Sequence, residues 1–101
     1  MSTMKFEIKL TNRARTQLTA LETANDKKLV LKAVRKTLGY METNIRHPSL
    51  RTHKFDSLKG TNGEDVFEAY VQNNTPCAWR IFWHYGPAKT QITIVAITAH
   101  P

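Results

Sequence analysis

A change of hydrophobic period partway along the chain limits the folds open to this sequence. Leu29, Val30, Ala33, Val34, Thr37, Leu38 and Met41 recur at helical spacing, and Lys28, Lys32, Arg35 and Lys36 lie about 180° away on the wheel. From residue 66 the period falls to two. Val-Phe-Glu-Ala-Tyr-Val-Gln at 66–72 reads as a strand, Trp79, Ile81 and Trp83 alternate with Arg80, Phe82 and His84, and β-branched residues crowd Gln91 to Ala99. Helices therefore come early and strands late, with one exception. At 4–10, Phe6, Ile8 and Leu10 alternate with Lys5, Glu7 and Lys9, which predicts a half-buried first strand at a sheet edge.

The remaining signals divide these segments. Thr11 or Asn12 caps a first helix carrying Ala14, Leu18 and Leu21, and Ala24-Asn25-Asp26 breaks it, with Asp26 as cap of the second helix. Gly39, Asn44 and His47-Pro48 end that second helix between 39 and 45. A short extended stretch at 53–58 leads into the Gly60–Gly63 turn, Asn73-Asn74-Thr75-Pro76 is a second turn, and Gly86-Pro87 closes the next strand. The expected class is α+β: a strand, a helical hairpin, then a three- to four-stranded antiparallel meander whose last strand is central or well covered.

Composition narrows what such a domain does. With 101 residues the chain suits a single domain, 1–101, and 15 Lys+Arg against 8 Asp+Glu give a formal charge of +7. Excess positive charge serves an anionic partner, nucleic acid or an acidic protein segment. No run approaches the 18 or so apolar residues of a membrane span, and the alternating N-terminus lacks a signal core, so the expected location is cytoplasmic with no membrane partner. Cys77 is the single cysteine and has no partner for an internal disulfide or a thiolate metal cluster. Gly60-Thr61-Asn62-Gly63 lacks the lysine of a phosphate loop and precedes a strand. No metal and no small-molecule cofactor is expected.

The polar residues that a sheet could display are Glu68, Tyr70, Arg80, His84 and His100, led into by the cluster Arg46, His47, Arg51, His53 and Lys54. Arg80 falls on the strand face opposite Trp79, Ile81 and Trp83. A guanidinium there needs an anion, because burying it unpaired is costly. Two readings stand open and are compatible: an ion pair with Glu68 on the adjacent strand, or an anion-facing role in which Glu68 holds Arg80 in place. His100 is either a solvated terminal residue or a proton-transfer group. His84 reads as a strand-end residue packed on aromatics, His47 as a capping or packing residue of its loop, and His53 as part of a phosphate-facing surface. The basic helical face is either solvated or an electrostatic anchor, and Trp79 and Trp83 are either core residues or stacking platforms for bases.

The opening FEI strand followed by Thr11, the basic hairpin ending at Asn44, the segments HPSLRTHKFDSLKG, VFEAYVQ and AWRIFWHYG, and the terminal ITIVAITAHP resemble the RelE/ParE toxin superfamily across nearly the whole chain. The resemblance implies a βααβββ fold with a curved antiparallel sheet backed by helices. It also implies a ribosome-dependent, metal-independent mRNA endoribonuclease, the toxin of a type II toxin–antitoxin module, neutralised by an acidic antitoxin. Its expected partners are that antitoxin, the ribosome and mRNA. Carried over by position, Arg80 contacts the scissile phosphate, His100 transfers a proton, Glu68 is the glutamate of the preceding strand, and Tyr70 stands where many members have Arg or Lys. Tyr70 or His53 would serve the second proton transfer. Arg51, His53, Lys54 and Lys59, with Lys28, Lys32, Arg35 and Lys36 on the helix, form the expected RNA-binding surface. The ParE branch supplies a second reading, a toxin that binds DNA gyrase without cutting RNA. A third is an inactive relative that only binds RNA or antitoxin.

Overall fold

The computed structural model describes residues 5–72 and 78–99. The 73–76 turn, Cys77 and His100 lie outside the described residues. The element order is β1 (Glu7–Leu10), α1 (Asn12–Thr23), α2 (Lys28–Thr43), β2 (His53–Lys59), β3 (Asp65–Tyr70), β4 (Trp79–Tyr85) and β5 (Gln91–Ala99), with single 3₁₀ turns at Asn25–Lys27 and Pro48–Leu50. The α+β class expected from the periods is the class observed. The sheet order is β1-β5-β4-β3-β2. Strands β2 to β5 form an antiparallel meander of four, whereas β1 pairs with β5 in parallel, Ile8 facing Ile92 and Leu10 facing Ile94. The sheet is thus mixed, where a purely antiparallel one was expected. The helical hairpin carries the chain from one sheet edge, β1, to the other, β2, and β5 returns beside β1 in the same direction.

Local chemistry sets the element ends. Thr11 caps α1: its Oγ1 accepts from the Ala14 amide at 3.1 Å and donates to the Val95 carbonyl at 3.0 Å, tying the helix start to a bulge in β5. Gln17 extends that tie, its Oε1 accepting from the Ile97 amide at 2.7 Å. Asp26 does not cap α2; Lys27 occupies the cap position without a side-chain bond, and Asp26 pairs with Lys27 at 3.7 Å. Gly39 lies inside α2, which runs on to Thr43 with Asn44 as its C-cap, within the expected window. The first strand is shorter than the alternation suggests because the Phe6 amide bonds to the Glu42 carbonyl instead of the ladder. Val71 and Gln72 leave β3 because both their amides turn to the Trp79 carbonyl. Gly63, at φ +84, closes the β2–β3 turn in a conformation that glycine adopts without a Cβ clash.

One face of the sheet carries the main core. Ala14, Leu21, Val34 and Met41 of the helices pack on Ala69, Ile81, Trp83, Ile92, Ile94 and Ile97 of the strands. Trp83 is fully buried and Trp79 packs against the same cluster, so both tryptophans are core residues. Leu29 departs from its stripe. It is 81% exposed, because it lies about 100° around the helix from the inward-facing line of Val30, Val34, Thr37 and Met41, while Val30 and Leu31 of the same turn pack on the core. The other face holds a second, smaller cluster of Val66, Phe82 and Ala96 with Phe55, Leu58 and Val95, the Phe55 and Phe82 rings 4.8 Å apart. No helix among the described residues is long and apolar enough to cross a membrane.

Candidate functional site

The alternation along β3 and β4 puts Glu68, Tyr70 and Arg80 on the face away from the helices, beside the smaller apolar cluster. Register does the rest. Tyr70 faces Arg80 directly across the β3–β4 ladder, and Glu68 faces His53 across β2–β3, so three strands deliver four side chains to one patch.

Arg80 is held rather than free. Its Nη1 donates to the carbonyls of Gln72 at 2.8 Å and Trp79 at 3.0 Å, and its guanidinium carbon sits 3.7 Å from the centroid of the Tyr70 ring, a close cation–π contact. The side chain is 11% exposed. The expected ion pair with Glu68 is present but long, Nε to Oε2 at 3.9 Å, and both atoms are buried without a hydrogen bond. Glu68 makes its short contact elsewhere: Oε1 lies 2.6 Å from Nε2 of His53. The other ring nitrogen of His53 is 3.1 Å from the Arg51 carbonyl. Both nitrogens therefore face oxygen atoms. The His53 ring also meets the Tyr70 ring edge-on at 5.8 Å, and the Arg51 guanidinium carbon is 5.9 Å from the same ring. Tyr70 is the common neighbour of all three basic groups.

The remaining basic residues lie apart from this patch to different degrees. Lys59 bonds Asp65 at 2.7 Å, and Lys54 approaches Asp65 at 3.6 Å and Asp56 at 3.9 Å. The Lys59 hydrogen bond, reinforced by Lys54, holds the Asp65 carboxyl below the usual carboxylate range, and the same bond holds Lys59 above the usual lysine value. Glu64 is also lowered, because its own amide and that of Asn62 donate to its carboxylate and His84 adds a favourable charge. On the helices, Arg35 pairs with Glu22 at 3.3 Å. Lys36 lies 5.9 Å from the Tyr40 ring and helps line a cavity that reaches Ser49 and Tyr70. Lys28 and Lys32 are exposed. His47 behaves as its position before Pro48 suggests: its Nδ1 accepts from the Ser49 amide at 3.1 Å and its ring stacks on Tyr40 at 4.0 Å. His84 is buried, with Nδ1 2.8 Å from the Tyr85 carbonyl, beneath the Gly60–Glu64 turn. Sequence reasoning did not find Gln72. Its contribution is a main-chain carbonyl, which no side-chain pattern reports.

Three solved structures share this architecture over nearly the whole chain. The YoeB dimer from Staphylococcus aureus aligns with a TM-score of 0.61 at 17% identity, covering 96% of this chain and 99% of that one. A chain of the archaeal RelE–RelB complex from Pyrococcus horikoshii OT3 aligns at 0.63 with 15% identity, over 95% and 96%. The YoeB/ParE toxin from Agrobacterium tumefaciens aligns at 0.63 with 8% identity, over 95% and 100%. No family model and no curated protein matches the sequence. The coverage of both chains leads to one conclusion: this chain shares its fold with these YoeB, RelE and YoeB/ParE structures.

Proposed function

We propose that this protein is the toxin of a toxin–antitoxin pair and that it cuts mRNA on the ribosome, using the RNA's own 2′-hydroxyl as nucleophile. The observation that carries the reading is the Glu68–His53 contact at 2.6 Å beside an Arg80 fixed over Tyr70 at 3.7 Å. In such a reaction the 2′-oxygen attacks the adjacent phosphorus and the bond to the 5′-oxygen breaks, leaving a 2′,3′-cyclic phosphate and a 5′-hydroxyl. One proton leaves the 2′-hydroxyl and one reaches the departing 5′-oxygen. The protein's task is to position the strand, stabilise added charge on the phosphate and move those two protons.

Arg80 supplies the charge. We assign the proton transfer to His53, half exposed, which would exchange its contact with the Arg51 carbonyl for the RNA while Glu68 holds Nε2; the ring of Tyr70 carries the Arg80 guanidinium. Tyr70 then positions Arg80. His100 keeps the second proton-transfer role by its sequence position alone. Arg51 flanks the patch as a phosphate contact, with Lys54 and Lys59 carrying part of their charge into their pairs with Asp65. Lys28, Lys32, Arg35 and Lys36 serve as a more distant anchor on ribosomal RNA. An acidic antitoxin suits the +7 charge, and one structural neighbour is a RelE–RelB complex. The cytoplasm is where such a protein would act.

The test uses purified protein, programmed ribosomes and mapped mRNA ends. Cuts should carry a 2′,3′-cyclic phosphate, vanish when the nucleotide before the cut is 2′-deoxy, and fall by about 10²–10³ in Arg80→Ala. Cleavage that persists on the 2′-deoxy substrate overturns the mechanism.

A further inference from the structure

Arg46 and Arg51 differ from the paired cations of β2 and α2. Lys54, Lys59 and Arg35 each have a carboxylate within 4 Å, but neither Arg46 nor Arg51 has one among the described residues. Both line a cavity of about 230 Å³ together with His47, Thr52 and Tyr85. Tyr85 is 48% exposed, one of only two large apolar side chains so exposed among the described residues. It is also rigidly backed: its ring packs edge-on against Trp83 at 4.8 Å and Phe67 at 5.9 Å, and at a tilt against Phe6 at 5.9 Å. A half-exposed aromatic ring fixed from behind loses little freedom when a planar group stacks on it.

Position connects this cavity to the patch described above. Arg51 lines the cavity and also lies 5.9 Å from the Tyr70 ring, which in turn carries Arg80. Arg51 is the one non-glycine residue with positive φ among the described residues, at 46°, at the end of the Pro48–Leu50 turn. A strained left-handed residue is characteristic of positions where direction matters.

We propose that the Arg46–Arg51–Tyr85 cavity is a nucleotide subsite for the single-stranded RNA leaving the Arg80 patch: a base stacks on Tyr85, and its phosphate is bound by Arg46 and Arg51. The proposal rests on the RNA-directed part of the function given above. Cations interleaved with an aromatic platform are the means by which single strands are bound without strict sequence preference. The volume lies below the roughly 300–1,000 Å³ of sites for whole drug-sized ligands and suits one nucleotide unit. An acidic peptide would use the two arginines but leave the stacking face idle.

The probe is a fluorescein-labelled hexauridine with 2′-O-methyl groups, which binds but offers no nucleophile, read by anisotropy at low salt. Tyr85→Leu, which keeps bulk in the aromatic cluster, should weaken binding by about 5- to 150-fold, the range for one lost base stack. Arg46→Ala, at an exposed position, should weaken binding and lower the slope of log affinity against log salt by about 0.7, one phosphate contact on a single strand. Arg13→Ala removes the same charge from the exposed face of α1 and serves as reference. In the ribosome assay both subsite variants should raise KM and leave kcat in place. The proposal is overturned if Arg46→Ala and Tyr85→Leu bind the hexamer within twofold of Arg13→Ala. It is also overturned if labelled hexaglutamate binds as tightly as RNA and is equally sensitive to Tyr85→Leu. If the hexamer results hold but Arg80→Ala does not impair cleavage, the mechanism fails and the subsite stands. If Arg80→Ala abolishes cleavage while the subsite variants bind and cut normally, the subsite alone fails.

Discussion

Arg80 and Tyr70 face each other across the β3–β4 ladder, and the guanidinium carbon rests 3.7 Å from the ring centroid, while its Nε reaches the Glu68 carboxylate only at 3.9 Å. This pairing assigns Tyr70 a holding role. A cation–π contact with a largely desolvated arginine is worth about 1–2 kcal/mol, and the phenol oxygen contributes little to it. Tyr70→Phe should therefore cut mRNA at nearly the wild-type kcat, whereas Tyr70→Leu should lose roughly 5- to 30-fold, by the same energy. Single-turnover kinetics on programmed ribosomes separates the two. A Tyr70→Phe variant as impaired as Tyr70→Leu would return Tyr70 to acid–base chemistry.

Glu68 contacts both His53 and Arg80, and the distances, 2.6 Å against 3.9 Å, rank the two contacts. Double-mutant cycles in urea unfolding at pH 6 should give a coupling of about 1–3 kcal/mol between His53 and Glu68, as for charge-assisted hydrogen bonds. The Arg80–Glu68 coupling should be smaller. The reverse order would show that the Arg80 pair closes in solution.

The Thr11 hydroxyl performs two tasks, accepting from the Ala14 amide and donating to the Val95 carbonyl at the β5 bulge. Thr11→Ala should cost about 1–2 kcal/mol through the lost cap alone and lower Tm by roughly 4–8 °C for each kcal/mol. Thr11→Ser, which retains the hydroxyl, should recover most of it. Calorimetry on the three proteins decides.

Acid should unfold this protein partly through the β2–β3 hairpin. Asp65 and Glu64 are both held below their ordinary carboxyl values, Asp65 first by the Lys59 hydrogen bond and Glu64 by main-chain amides. A depressed folded-state value contributes stability that is present above the unfolded-state value, about 4, and is lost as pH falls through the folded-state value. Asp65→Asn and Glu64→Gln should each flatten the fall in Tm below about pH 4 and lower Tm at pH 7. Lys59 is raised, so its share is complete below the unfolded-state lysine value and is lost as pH rises through the folded one. The Lys59 and Asp65 side chains are both half exposed, so 1 M salt should reduce the effect of their pair. A Tm–pH curve unchanged by both substitutions would remove the hairpin from the acid response.

Much of the fold was legible because one-dimensional period reports which side of an element is buried. The helical stripe from Val30 to Met41 and the alternation of Trp79, Ile81 and Trp83 needed only that the core be apolar, and the main cluster contains them. The same alternation placed Arg80 on the opposite face. Leu29 failed because an apolar stripe does not say how wide the buried face is, and Asp26 failed because a cap depends on backbone geometry at one residue.

By itself the sequence determined the order of elements, the two faces of the sheet, and that Glu68, Tyr70 and Arg80 share one of them, since side chains on paired strands alternate in a fixed manner. It could not determine who touches whom within that face. Strand register brought His53 opposite Glu68 and lengthened the Arg80–Glu68 contact, because a one-residue slip would send every side chain to the other side. The parallel docking of β1, the second apolar cluster under Phe55 and the Gln72 carbonyl that fixes Arg80 were likewise decided only in three dimensions. They join residues distant in the chain or use main-chain groups that every residue carries.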